Sequence, residues 1–126
     1  MSIVLIDYGS GNLHSAKKAF ERAATMSNRP DLIQVSADPE AVRRADRVVL
    51  PGVGAFADCK RGLASIPGML EALDEAVTQR GVPFLGICVG MQIMFERGVE
   101  HGSFDGIGAL KGTVEKMSAP VLPHMG

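Results

Sequence analysis

Apolar residues along this chain fall into short blocks separated by polar, glycine-rich punctuation, and the spacing inside the blocks alternates between continuous and helical. Ser2 to Ile6, SIVLI, is a β-rich run that stops at Asp7 and the turn DYGSGN. Leu13, Ala16, Phe20 and Ala23 then recur at helical spacing, with Asn12 placed to cap the helix. The polar stretch ATMSNRPD reads as a loop, Leu32 to Ser36 as a second strand and DPEAVRRA as a short helix carrying solvated charges. RVVL, Arg47 to Leu50, predicts a third strand ended by Pro51 and Gly52. Between Met69 and Arg80, Leu70, Leu73 and Val77 share one helical face, with Gly81 as the stop and Pro83 just beyond it. Val82 to Ile87, VPFLGI, predicts a fourth strand, Val89 to Arg97 a helix, and Gly108 to Met117 one or two strands broken at Gly112.

Strands that alternate with helices and are apolar nearly throughout predict an α/β fold with a mainly parallel sheet and helices on both faces. In such sheets ligands bind beyond the carboxyl ends of the strands. The loops leaving strands one, three and four are DYGSGN (7–12), PGVGAF (51–56) and the turn at Cys88 (88–92), and all three are rich in glycine. They are predicted to lie side by side on one edge of the sheet.

Composition narrows the function classes. A chain of 126 residues is one domain at most. Net charge is −1, with Lys and Arg scattered rather than clustered, so neither a nucleic-acid footprint nor a basic membrane patch is expected. No apolar stretch approaches the roughly 20 residues of a membrane span. The start, MSIVLID, has no basic segment and meets Asp7 at once, which argues against a signal peptide. Cys59 and Cys88 make no disulfide framework, and a reduced, cytoplasmic chain is the simplest reading. His14, His101 and His124 have no metal-ligand spacing, and no metal or cofactor is expected.

The candidate chemistry centres on GICVGMQ, residues 86 to 92. A nucleophile held on a tight turn between a strand and a helix crowds the positions two away on either side, and only small residues fit there. Gly86 and Gly90 meet that need around Cys88. A helix starting just after Cys88 would turn free N–H groups and its positive end toward the sulfur, favouring the reactive thiolate. The Val89 N–H would then be placed to stabilise an oxyanion. G-x-C-x-G alone fits an inert core cysteine equally well; its position between a buried strand and a helix favours the functional reading. In PGVGAF, Gly52 and Gly54 let the backbone turn a second N–H inward, or switch it between two orientations. DYGSGN does not complete a G-x-G-x-x-G phosphate loop, because His14 stands where the third glycine belongs, and it reads as a structural turn. Cys59, between Asp58 and Lys60, reads as a bystander thiol.

DYGSGNLHS, PGVGAF, GICVGMQIMFE and the closing LPHMG together resemble the class I (triad) glutamine amidotransferases, and within them the glutaminase subunits of imidazole glycerol phosphate synthases of histidine biosynthesis. The resemblance runs the length of the chain. It implies a flavodoxin-like fold and hydrolysis of glutamine to glutamate and ammonia, with the ammonia passing to a partner (β/α)8 cyclase. It also implies roles for particular residues. Cys88 would be the nucleophile that forms a glutamyl thioester. Val89, with the backbone at Gly52 and Val53, would form the oxyanion hole. Gln92 would hold the substrate glutamine, Glu100 would help with its amino group, and Asn12 would lie toward the cyclase. Val89 stands where the family often has leucine, a mild departure because its backbone is what matters.

The family's catalytic histidine and glutamate lie far beyond the elbow, whereas 38 of the 126 residues follow Cys88 here. His124 belongs to LPHMG, which is not the catalytic segment, and His101 matches no family role. Residues 1–126 are therefore expected to form the N-terminal part of the amidotransferase domain, inactive in turnover alone and leaving apolar surface open. Two other readings stand beside this one. A PfpI/DJ-1-like cysteine-elbow protein would need an acidic residue near the thiol, and no nearby strand end supplies an obvious one. A non-catalytic flavodoxin-like binding module would dock on a partner without thiol chemistry.

Overall fold

The computed structural model describes residues 1–123. Two apolar runs, β1 (Ser2–Ile6) and β3 (Arg47–Leu50), pair in parallel at its centre, with Val4 opposite Val48. β2 (Leu32–Ser36) flanks β1, and β4 (Phe84–Gly86) flanks β3, giving a four-stranded parallel sheet of order β2-β1-β3-β4. Because side chains alternate across a strand, each run feeds two cores. Ile3, Leu5, Ile33 and Val49 pack against Ala16 and Phe20 of α1 (Leu13–Met26). Val4, Ile6, Val48 and Leu50 join the larger core, with Val42 of α2 (Pro39–Arg44), Phe56, Cys59 and Leu63 of α3 (Phe56–Ala64), and Met69, Ala72 and Leu73 of α4 (Met69–Leu73). Burial on both faces is what demands strands without polar alternation. The flavodoxin-like arrangement expected from the sequence is thus present, and no helix is long and apolar enough to cross a membrane.

Local chemistry starts the helices as expected. Asn12 Oδ1 accepts the Ser15 N–H at 3.1 Å, and Asp38 Oδ1 accepts the Glu40 N–H at 2.9 Å with Pro39 in the first turn. β4 is shorter than the predicted 82–87. Its pairing is nonetheless extended at both ends by Val48 N–H to the Pro83 carbonyl (3.1 Å) and Ile87 N–H to the Leu50 carbonyl (2.9 Å). Leu85 and Ile87 of this segment remain exposed, which agrees with the open apolar surface anticipated.

Four differences from the sequence reading have identifiable causes. α3 lay unrecognised behind PGVGAF, although Phe56, Cys59 and Leu63 stand at helical spacing. The helix expected over Met69 to Arg80 is α4 followed by a π-helical segment, Asp74–Gln79, closed by the i→i+5 bond from Arg80 N–H to the Glu75 carbonyl. The helix expected over Val89 to Arg97 is corrected: α5 (Val89–Gln92) is one turn, and β5 (Phe95–Gly98) is a strand. A longer helix would need the carbonyls of Ile93 and Met94, but these accept the N–H groups of Ile107 (2.7 Å) and Leu110 (3.0 Å). Tertiary pairing therefore stops the helix.

The last difference is a second, three-stranded sheet of order β6-β5-β7, in which β6 (Phe104–Asp105) runs antiparallel and β7 (Leu110–Val114) parallel to β5. The expected break at Gly112 is a bulge. The register slips between Phe95 and Arg97, Gly112 takes φ 125, and its N–H reaches Glu96 Oε1 at 2.9 Å. Sheet and core meet where Gly98 crosses the ring of Phe56: a Cβ at Gly98 would stand 2.5 Å from the ring's Cγ. Gly98→Ala is expected to lower stability by about 1–3 kcal/mol through overpacking. The check is a fall in the denaturant midpoint with the slope unchanged.

Candidate active site

Three loops leave the carboxyl ends of β1, β3 and β4, and backbone contacts bring them together. Cys88 connects β4 to α5 at φ 55, ψ −122, a conformation that costs a non-glycine residue energy and persists only when its surroundings enforce it. The enforcement is a set of short backbone bonds. Ile87 N–H is held by the Leu50 carbonyl at 2.9 Å, Gly90 N–H by the Ile87 carbonyl at 2.9 Å and Met91 N–H by the Cys88 carbonyl at 3.0 Å. The glycines two positions away are required by space. A Cβ at Gly86 would lie 2.6 Å from Met91 Cα, and one at Gly90 would lie 2.0 Å from the Leu50 carbonyl oxygen. The Cys88 thiol is exposed and free of disulfide.

The β3 loop rests directly on this turn. A Cβ at Gly52 would stand 2.5 Å from the Gly90 nitrogen and 2.7 Å from Tyr8 Oη. Gly11 of the β1 loop is equally close to Pro51, with its would-be Cβ 2.8 Å from the proline Cβ. Loops 7–12, 51–56 and 88–92 are therefore neighbours on one edge, as their glycine content predicted.

Among the described residues the Val89 N–H has no intramolecular acceptor, and the Val89 side chain is buried. Its position on the turn suits an oxyanion donor. Because α5 is a single turn, the local amides rather than the dipole of a long helix are what this turn offers the thiol. Val53 differs. Its N–H donates to Ser10 Oγ at 2.9 Å, and its carbonyl accepts from Ser10 Oγ at 2.9 Å and from Cys59 Sγ at 3.3 Å. Next to them the Tyr8 hydroxyl donates to the Pro51 carbonyl. Burial, and secondarily the nearby Cys59, push the Tyr8 phenol's ionisation well above its ordinary range.

The remaining sequence candidates are placed as follows. Gln92 is half-buried one turn after Cys88. Asn12 is exposed at the head of α1. Glu100 lies in the exposed turn after β5, 3.7 Å from His101 Nε2, and belongs to none of the three converging loops. His14 and His101 are exposed, and among the described residues no histidine is hydrogen-bonded to Cys88. His124 lies outside the described residues. No group of three or more His, Cys, Asp or Glu that could hold a metal is found among the described residues. Sequence reasoning missed Ser10 and undervalued Cys59. The helical spacing of Phe56, Cys59 and Leu63 was the available signal for Cys59; for Ser10 there was none, because its partners lie 43 residues away.

The profile of the family described as "Glutamine amidotransferase class-I" matches residues 4–122. The chain is 57% identical over 130 aligned positions to the protein named "Imidazole glycerol phosphate synthase subunit HisH" of Rhodopseudomonas palustris, an alignment covering 100% of this chain and 60% of that protein. Proteins of the same name from Bradyrhizobium diazoefficiens and Rhodospirillum rubrum are 54% and 57% identical, again over 100% of this chain, with 60% and 61% of their own length covered. The chain thus spans about 60% of the length of these curated relatives.

Tyr8 provides a test of how these loops are packed. Its folded-state ionisation is raised above the ordinary value of 10.0, so its contribution to stability is fully present below about pH 10 and is lost as pH rises toward the folded value. It is the sole tyrosine, and there is no tryptophan, so near-ultraviolet phenolate absorbance reports this residue alone. The expected result is a phenolate signal that lags well beyond pH 10.0 and arrives together with loss of helical circular dichroism. Titration centred at 10.0 with the fold intact would contradict the packing described.

Proposed function

The chain belongs to the class-I glutamine amidotransferase family, and from that premise we propose that it carries the nucleophile and oxyanion hole of the glutaminase subunit of an imidazole glycerol phosphate synthase. In this reading Cys88 attacks the side-chain amide carbon of glutamine, and the amide's π electrons move onto its oxygen. Collapse of the tetrahedral adduct expels the nitrogen, protonated as ammonia, and leaves a glutamyl thioester on the sulfur. Water then adds to the thioester carbonyl, releasing glutamate and regenerating the thiol. The ammonia goes to a (β/α)8 cyclase partner, in a cytoplasmic enzyme of histidine biosynthesis.

The observation that carries this proposal is the Cys88 turn itself. An exposed thiol sits at φ 55, ψ −122, ahead of the uncommitted Val89 N–H, with the β3 loop in backbone contact two residues away. An inert core cysteine has no need of such strain. Val89 supplies one oxyanion donor, and the backbone at Gly52 and Val53 the second. Gln92 holds the substrate glutamine, Glu100 assists with its amino group, and Asn12 faces the cyclase. The PfpI/DJ-1-like reading and that of a non-catalytic module are not favoured by the family match.

Two outcomes test the proposal. With the intact subunit and its cyclase, Cys88→Ala is expected to lower glutamate release by about 10⁴-fold or more, the scale seen when a nucleophile is removed from a catalytic unit. Retained turnover would exclude Cys88 as nucleophile. With residues 1–126 alone, a glutamine-like electrophile should add one mass adduct at Cys88 and none at buried Cys59, with glutamine slowing the labelling. No steady glutamate release is expected from this segment, since no described histidine is bonded to Cys88 to move protons.

A further inference from the structure

We infer that Ser10 is a positioning residue for the proposed glutaminase: its hydroxyl holds the Gly52–Val53 peptide with the Val53 amide spent on the β1 loop, so that the oxyanion hole keeps one donor until this latch opens. The inference rests on the reading of Cys88 as nucleophile, and it concerns the second donor alone.

The geometry is a closed ring of polar contacts. Ser10 Oγ accepts the Val53 N–H at 2.9 Å and gives its single proton to the Val53 carbonyl at 2.9 Å. Cys59 Sγ, brought in by α3, lies 3.3 Å from Ser10 Oγ and donates to the same carbonyl at 3.3 Å. Both backbone groups of Val53 are thus taken by side chains from other elements. An N–H donated to Ser10 is unavailable to an oxyanion.

Little else fixes this residue. The Val53 side chain is 64% exposed and contributes little packing. Gly54, which follows, takes φ 98 with open space where a Cβ would be, so the chain beyond Val53 is sterically free to turn. The latch itself is rigidly mounted: Gly9 and Gly11 on either side of Ser10 take φ 88 and φ 96, and Gly11 is wedged against Pro51. Ser10 is therefore a fixed arm acting on a loosely held peptide.

The magnitudes make the effect measurable. One oxyanion donor is typically worth about 10²–10³-fold in kcat, whereas one neutral hydrogen bond shifts an equilibrium by roughly two- to tenfold. Removing the Ser10 hydroxyl should enlarge the minor population with the amide released, without creating a new donor.

Basal glutaminase of the intact subunit, measured without the cyclase, is the test. Ser10→Ala is expected to raise kcat by roughly three- to tenfold with KM within about twofold, since the hydroxyl restrains the peptide and does not touch substrate. Ser10→Thr, which restores the hydroxyl, should bring the rate back toward wild type. Cys59→Ala, which removes only the sulfur contact, should raise kcat by a smaller factor, and it answers the question if Ser10→Ala does not fold. Ser10→Ala combined with Cys88→Ala should be inactive. If Cys88→Ala abolishes turnover but neither latch variant raises kcat, the latch is overturned and the nucleophile stands. If turnover survives Cys88→Ala, the nucleophile reading falls and the latch falls with it.

Discussion

Everything at this site depends on how closely the backbone at the end of β3 approaches the turn after β4. The Leu50 carbonyl accepts the Ile87 N–H, and the same oxygen occupies the space a Cβ of Gly90 would need, 2.0 Å away. Two residues later Gly52 lies against the Gly90 nitrogen just as tightly. No side chain separates the two loops. The distance between thiol and oxyanion loop is therefore set by main-chain atoms alone, which cannot adjust by changing rotamer. A methyl group at Gly90 or Gly52 would have to move backbone, whereas elsewhere in the core an added methyl can be absorbed by neighbouring side chains.

That contact divides the site into a fixed part and an adjustable part. The Cys88 turn is held by backbone bonds on every side, including three that begin or end within residues 87–91. The Val53 region is held instead by hydroxyl and thiol groups of Ser10 and Cys59, each of which has other partners to choose from. Acyl transfer needs a nucleophile at a constant place and donors aimed at a charge that exists only in the transition state. A clamped cysteine beside a peptide restrained by weak, replaceable contacts satisfies both demands. It also keeps the thiol accessible while the hole is incomplete.

How much of this was legible in the sequence follows from how local each signal was. β1 to β4 announced themselves because burial on both faces leaves uninterrupted apolar runs, and Asn12 and Asp38 marked helix starts through bonds spanning two or three residues. The converging glycine loops were legible for the same reason: a residue without Cβ signals a close approach even before its partner is known. The second sheet was not. FERG has a helix-compatible composition, and only the claims of Ile107 and Leu110 on the carbonyls of Ile93 and Met94 make it a strand. Ser10 was invisible for a related reason. A serine between two glycines is ordinary turn chemistry until the fold brings Val53 to it across 43 positions.

The two cysteines show the same principle at the level of a single side chain. Cys59 follows the helical spacing of Phe56 and Leu63, is 2% exposed, and spends its sulfur on Ser10 and the Val53 carbonyl. Cys88 is exposed on a backbone that residues other than glycine rarely adopt. Neither difference comes from the thiol. A sulfur surrounded by apolar side chains gains from packing and is shielded from reagents, so on α3 it serves the fold. At the turn after β4 the fold accepts strain, of order 1–3 kcal/mol for a residue in such a region, and gains no packing from the exposed sulfur in return. A position that costs stability and contributes none to the core persists through what it does for chemistry. The geometry of the main chain, rather than the identity of the residue, is what separates the candidate nucleophile from its structural twin.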